Sequence, residues 1–328
     1  MGMLLRFGMR LAAPETGAEQ YAAAVEMAAW GEANGAVAVA VSQHHGCDDG
    51  YLPSPLVLAS AMAARTTTIP ISIAALLLAH YEPVKLAEDM AVLDLLSRGR
   101  VSYVVGIGYR DEEFAMFGVD RRTRARRVED AIGVLRQAWT GKPFELDGRT
   151  VRVTPRPFTP GGPPLLYGGG SEAAARRAGR LGMMFLSEAD RPDLAAVYHE
   201  AARAAGVEPL GCIIPSAADA NTLFVADDPD RAWAELGPYL LKDARPYWAW
   251  NAARAERGAA PVSLTRAGSV DELRAEQGAY RIVTPDDATA LVRAGRMLQL
   301  QPLCGGLPPD LAWPYLEAAA AAVRAATA

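Results

Sequence analysis

Nine residues, "SQHHGCDDG" from Ser42 to Gly50, hold two adjacent histidines, a cysteine and two aspartates. Such side chains can build a metal centre, an acid/base site or only a polar loop. A zinc site on a strand needs two histidines on one side, but strand side chains alternate with period two, so neighbours point apart. Only His80 and His199 remain in the rest of the chain, and no carboxylate cluster at ligand spacing accompanies them. The sequence therefore predicts no metal site. An acid/base role suits an imidazole, whose ordinary pKa of ~6.5 lies near neutral pH.

The run before the histidines decides which of them faces a site. In "AVAVAVSQ" (36–43), Val37, Val39 and Val41 form a bulky set that continues to Gln43 and His45. Ala38, Ala40 and Ser42 form a small set that leads to His44. In a barrel the bulky set packs on the helices, and the small set leaves room for ligand at the catalytic end. His44 should then point into the barrel mouth and His45 outward. A histidine that merely caps the barrel top is the alternative.

The same small inward pattern recurs at Ser72 and Ala74, at Ser102, Gly106 and Gly108, and at Gly168, Gly169 and Gly170. Glycine weakens a strand unless backbone must approach a ligand closely, so these positions suggest space for a flat ligand. "GGGSEAAARRAG" (168–179) adds a glycine-rich turn with Ser171 as the N-cap of a helix, a place where free N–H groups and the helix dipole favour phosphate. An ordinary strand-to-helix connection would read the same. "RRTRARR" (121–127) holds five arginines, either a solvated helix face or the source of one phosphate contact.

The elements that must hold these residues alternate. "LLRFGMR" (4–10), "AVAVAVSQ" (36–43), "IPISIAALLLA" (69–79), "RVSYVVGIG" (100–108) and "PPLLYGGG" (163–170) read as strands separated by helix-length segments, and three further units follow. About eight strand–helix units predict one closed (β/α)8 barrel across residues 1–328, with insertions at about 142–162 and 244–279. An open doubly wound sheet would show a G-x-G-x-x-G turn after its first strand, and "GMRLAAPETG" shows none. The tail "EAAAAAVRAATA" reads as the frayed end of the last helix.

A chain of 328 residues that is 51% hydrophobic and 22% charged can bury a large core. Its net charge of −5 argues against nucleic acid as the main partner. Cys47, Cys212 and Cys304 are odd in number and far apart, as free thiols of a reducing cytoplasm would be. No stretch reads as a signal peptide or membrane span.

With His44-His45, "AALLLAHYEPVKLAEDMAVLDLLSRGR" (74–100), "YRDEEFAMFGVD" (109–120) and "LLYGGGSEAAARRAGRLG" (165–182), the chain resembles the bacterial luciferase-like flavin oxidoreductases. The resemblance implies a barrel binding reduced FMN or the deazaflavin F420, with His44 at the position of the family's active-site histidine. It implies a cis peptide at Ala74-Ala75 beside the flavin ring, Gly170-Ser171 as the phosphate turn, and Arg126, or Arg124 beside it, as the phosphate arginine. Gly106 and Ile107 stand where luciferase has a cysteine and an arginine, so light-emitting oxidation of long-chain aldehydes is not expected. The expected activity is a two-component FMN-dependent monooxygenase fed by a separate flavin reductase, because no nicotinamide fingerprint appears. An F420-dependent hydride-transfer enzyme and a non-catalytic flavin-binding protein are the alternatives. The resemblance also implies a homodimer, and helices 53–65 and 84–97 carry apolar residues on more than one face. Phe114, Met116, Phe117, Trp248 and Trp250 are candidates for an apolar substrate pocket or for plain core.

Overall fold

Each apolar run identified by its period forms a strand in the computed structural model, which describes residues 2–216, 219–256 and 265–327. The strands are β1 (Met3–Phe7), β2 (Ala36–Val41), β3 (Ile71–Leu77), β4 (Val101–Gly106), β5 (Phe144–Leu146) and β6 (Arg149–Val151). After them come β7 (Leu165–Gly168), β8 (Met184–Leu186), β9 (Cys212–Ile213), β10 (Thr222–Val225), β11 (Tyr280–Val283) and β12 (Leu298–Leu300). Eight of them make one parallel sheet in the order β12-β1-β2-β3-β4-β7-β8-β9. Its register puts Arg6 beside Ala40, Ala40 beside Ser72 and Ser72 beside Ser102, a continuous row of inward residues that are mostly small. Met3, Leu5, Phe7, Val39, Val41, Ile71, Ile73, Tyr103 and Val105 take the alternate positions and are buried. That alternation is the period-two pattern of the sequence realised in space.

The helices are α1 (Gly17–Ala33), α2 (Pro55–Arg65), α3 (Pro83–Ser97), α4 (Asp111–Met116), α5 (Arg124–Ala138) and α6 (Glu172–Arg180). They continue with α7 (Asp193–Ala204), α8 (Pro229–Glu256), α9 (Val270–Ala275), α10 (Pro285–Arg293) and α11 (Pro309–Thr327). Local chemistry sets their starts. Proline opens α2, α3 and α10, where its missing N–H costs nothing, and Glu82, Ser171 and Thr284 cap α3, α6 and α10 by accepting a hydrogen bond from a first-turn N–H.

Three expectations change. Among the described residues the ladder does not close: β9 has two residues, no hydrogen-bonded pairing joins it to β12, and β10 and β11 pair with each other as a separate parallel pair. Beside β12 the contact to β10 runs through side chains, Thr222 Oγ1 donating to Gln301 Oε1 at 3.2 Å. The segment 142–162 does carry an added element, the β5–β6 hairpin. The stretch from 244 is instead a continuation of α8 through Pro246 to Glu256, and α9 follows; the part from 257 to 264 lies outside the described residues. The last helix does not fray early, because Ala319, Ala320, Ala322 and Val323 are buried along it. No helix among the described residues is long and apolar enough to cross a membrane.

Candidate active site

Past the end of β2 the chain turns over the barrel mouth, and both histidines are buried there, His44 at 6% and His45 at 8% exposure. Their neighbours differ. α4 starts a few residues after β4 and brings Glu113, fully buried, between them. His44 Nδ1 lies 2.8 Å from Glu113 Oε1, and the same oxygen accepts the backbone N–H of His45 at 2.9 Å and Arg110 Nη1 at 3.2 Å. The other face of His44 meets Tyr109, whose hydroxyl lies 3.2 Å from Nε2.

Electrostatics fixes the protons in this chain of groups. Burial pushes the His44 imidazole below its ordinary value, and the Glu113 carboxylate only partly restores it. Burial would raise Glu113, but the hydrogen bonds from His44 and from the His45 N–H, with the nearby Arg110 charge, outweigh it and hold the carboxyl below its usual range. The stable state is a neutral imidazole beside an ionised carboxylate. Nδ1–H then donates to Glu113, and Nε2 accepts from the Tyr109 hydroxyl. The arrangement can hold or move one proton at Nε2.

An aromatic wall closes over His44. The Trp250 ring, from α8, sits 4.6 Å from it between centroids, and Tyr51 sits 5.0 Å away. Arg10 anchors that wall from below, its Nε donating to Asp243 at 2.8 Å and its guanidinium lying 4.6 Å from the Tyr51 ring centre. Phe114 is buried and Phe117 half-exposed, both packed edge or face against His80, whereas Met116 and Trp248 are exposed. His45 does not reach an outer helix layer. It accepts from Gln43 Nε2 at 2.7 Å and packs edge-on to Phe117, on the opposite side of Glu113 from His44.

The ends of β3 and β4 carry the small residues Ala74, Ala75 and Gly106. The Ala74–Ala75 peptide is cis, and the β3–β4 register shifts at that point. A Cβ placed on Gly106 would stand 3.1 Å from the Ala75 Cβ, so a side chain there would crowd the barrel mouth. Gly169 is fixed by close approach, since a Cβ on it would lie 2.7 Å from the Ala174 Cβ. Its N–H is already bound to Leu186 O at 3.1 Å, so Gly169 donates nothing to a ligand. Gly170 and Ser171 head the first turn of α6, where the Ala174 N–H is taken by Ser171 and the N–H groups before it precede the helix's own carbonyl acceptors. Small strand ends and a helix N-terminus on adjoining strands fit a flat ring that carries a phosphate.

Arg126 is not on that face. Its side chain is 88% exposed and sits 3.6 Å from Asp130, because α5 begins at Arg124 and the helical rotation turns position 126 to solvent. Arg127 is exposed as well, but its Nε donates to Ala79 O, in the turn after β3, at 2.7 Å. Among the described residues no three of His, Cys, Asp and Glu converge as a metal-holding group, and all three cysteines are free thiols. Glu113, Tyr109 and Arg110 escaped the sequence reading. Their signal is faint: in "YRDEEFAMF" a buried acid hides among three consecutive acidic residues.

The luciferase-like monooxygenase profile matches residues 2–301. An F420-dependent glucose-6-phosphate dehydrogenase 1 of Rhodococcus jostii is 25% identical over 311 residues, 89% of each chain. The alkanal monooxygenase alpha chain of Photorhabdus laumondii is 28% identical over 151 residues, 44% of this chain and 42% of its own length. The oxygenating constituent of 3,6-diketocamphane monooxygenase from Pseudomonas putida, solved with FMN, shares the fold at a TM-score of 0.71 and 21% identity over 98% of both chains.

Proposed function

Because this chain belongs to the luciferase-like monooxygenase family, whose members are flavin- or F420-dependent monooxygenases or oxidoreductases, we propose that it is the oxygenating half of a two-component FMN monooxygenase acting on a small apolar organic substrate. The observation that carries the reading is the Tyr109–His44–Glu113 chain set beside strand ends cleared of side chains. Reduced FMN, when bound, supplies the electrons with which O2 is activated. A separate reductase would deliver it, as two-component enzymes require.

In this proposal the protein's residues do four things. Ala74, Ala75 and Gly106 leave room for the ring. The first turn of α6, at Gly170 and Ser171, receives the phosphate, with Arg127 or Arg124 replacing Arg126 as the arginine on that side. Trp250 and Tyr51 exclude water from His44. His44 holds or releases a proton at Nε2, and Glu113 fixes its tautomer from behind. The likeness to the Rhodococcus F420 enzyme over nearly the whole chain supports a second reading, hydride transfer with F420. Titrating the apoprotein with FMN and with F420, then assaying O2-dependent product formation with reductase-supplied reduced FMN, separates the two. Tight F420 binding with negligible FMN binding would replace the first reading by the second.

A further inference from the structure

We infer that the substrate carries an anionic group, a carboxylate, and that Lys242 and Arg245 of α8 receive it in a cavity walled off from His44 by Trp250. The inference rests on the monooxygenase reading and names the class of molecule that reading would act on. A cavity of about 450 Å³ opens between α8 and the 46–49 turn. Four cations line it, Arg10, Arg110, Lys242 and Arg245, against two acids, Asp48 and Asp49, while Asp243 and Glu113 just behind the lining are bound to Arg10 and Arg110. A preference for anions therefore has to come from the cations whose charge no carboxylate meets.

The four cations differ in how their charge is met. Arg10 is committed to Asp243 and Asp49, and Arg110 to Glu113. Even so, Arg10 Nη2 and Arg110 Nε are buried without an acceptor, Glu112 standing 4.0 Å from the latter, too far to accept. Lys242 donates to Leu11 O at 2.7 Å, and Arg245 to Gly268 O at 2.9 Å. Among the described residues neither meets a carboxylate, and one helical turn of α8 brings both to the cavity. Their charges are available to a ligand.

The cavity also has an apolar wall of Leu241, Pro246 and Trp250. Trp250 is the shared partition, touching His44 on one side and lying under the Arg110 guanidinium, 4.4 Å from its ring centre, on the other. A molecule with an apolar body against Trp250 and a carboxylate at the α8 rim matches both surfaces. The acidic tail of a deazaflavin offers the same carboxylate chemistry, but the indole partition next to His44 favours a substrate.

The test uses 2-naphthoate and its uncharged twin 2-naphthamide, titrated by calorimetry into the protein as purified and again with FMN added. Naphthoate should bind roughly tenfold or more tighter than naphthamide, the size of a charge-assisted contact. In Lys242→Gln/Arg245→Gln that preference should fall to about twofold or less, with naphthamide affinity unchanged. Equal affinities in the parent protein, no naphthoate binding at millimolar concentration, or a preference that survives the double substitution would each overturn the anion site. An F420 affinity that drops in the double variant would also overturn the substrate assignment by giving the rim to the cofactor. Failure of FMN to bind counts against the monooxygenase reading alone, since the naphthoate comparison is made without it as well.

Discussion

A neutral imidazole held between a phenol and a carboxylate can take up a further proton only at Nε2, the nitrogen that faces the phenol, and its usefulness depends on staying neutral at working pH. Burial keeps it so, which places the acid limb of kcat/KM below the ordinary imidazole value of 6.5 rather than at it. Glu113 raises the His44 value against that burial, so Glu113→Gln should move the acid limb to still lower pH while turnover falls. An unmoved limb would make Glu113 a structural residue only. His44→Gln should lower coupled product formation by ~10²–10⁴ and release hydrogen peroxide instead, with flavin affinity kept. His45→Gln breaks only the Gln43 contact and edge packing, so it should cost ~1 kcal/mol of stability and little turnover. The reverse pattern in product and peroxide assays would show the histidine roles exchanged. The small series Ala38, Ala40 and Ser42 marks His44 in the sequence, although β2 itself ends at Val41 and both histidines are buried past it. Glu113 was not legible, since its partner lies 69 positions away and nothing in an acidic run marks which acid is buried. Arg126 was misplaced for a related reason: five arginines fix no register until the helix start, Arg124, is known.

At the scale of elements, two junctions carry consequences. The N-terminus of α6 offers its first-turn donors to phosphate, which riboflavin lacks, so FMN should bind at least tenfold more tightly by fluorescence quenching, a contact of ~1.5–3 kcal/mol. Equal constants would remove phosphate from this turn. The second junction is the seam between the turn after β3 and α4, where His80 stacks on Phe117 at 5.0 Å and leaves both ring nitrogens buried without partners. Burial drives its pKa down to about 4 from the ordinary 6.5. The unfolded chain therefore takes up a proton that the folded one refuses. Stability from this group is present above about 6.5 and is lost as pH falls towards about 4. His80→Phe keeps the stack and removes the titration, so its melting temperature should fall less than that of the parent protein between pH 6.5 and 5. An identical fall in both would locate the acid sensitivity elsewhere. Strand–helix alternation was readable because each apolar run has its own period and a glycine or proline stop. Barrel closure was not, because counting units cannot see that β9 is two residues long, and the prolines of α8 read as breaks where the helix continues.

For the whole molecule, the exposed apolar surface is uneven. α2 and α3 pack side by side and present Val57 at 72%, Val92 at 44% and Leu96 at 58% exposure to solvent. A two-fold dimer buries one patch against its own copy, and a patch of this kind is what such an interface uses. Magnitude shows how delicate the contact would be. Partly exposed Val and Leu side chains return ~1 kcal/mol each on burial, so six of them supply ~6 kcal/mol, within the ~4–15 kcal/mol that association costs. The remaining stabilisation has to come from the surrounding helix surface, and no single contact has much to spare. A homodimer is therefore proposed in which α2 and α3 meet their copies, and Val57→Glu with Leu96→Glu should dissociate it, since each charge would appear twice in the same dry patch. Light scattering should give about twice the 34.9 kDa chain mass for the parent protein and the chain mass for the variant. A parent protein that stays at the chain mass across micromolar concentrations would refute the dimer, and a variant that stays dimeric would move the interface to another face. Circular dichroism on both proteins checks that the substitutions, lying on solvent-facing positions, leave the fold intact, so that a change in mass reports association alone.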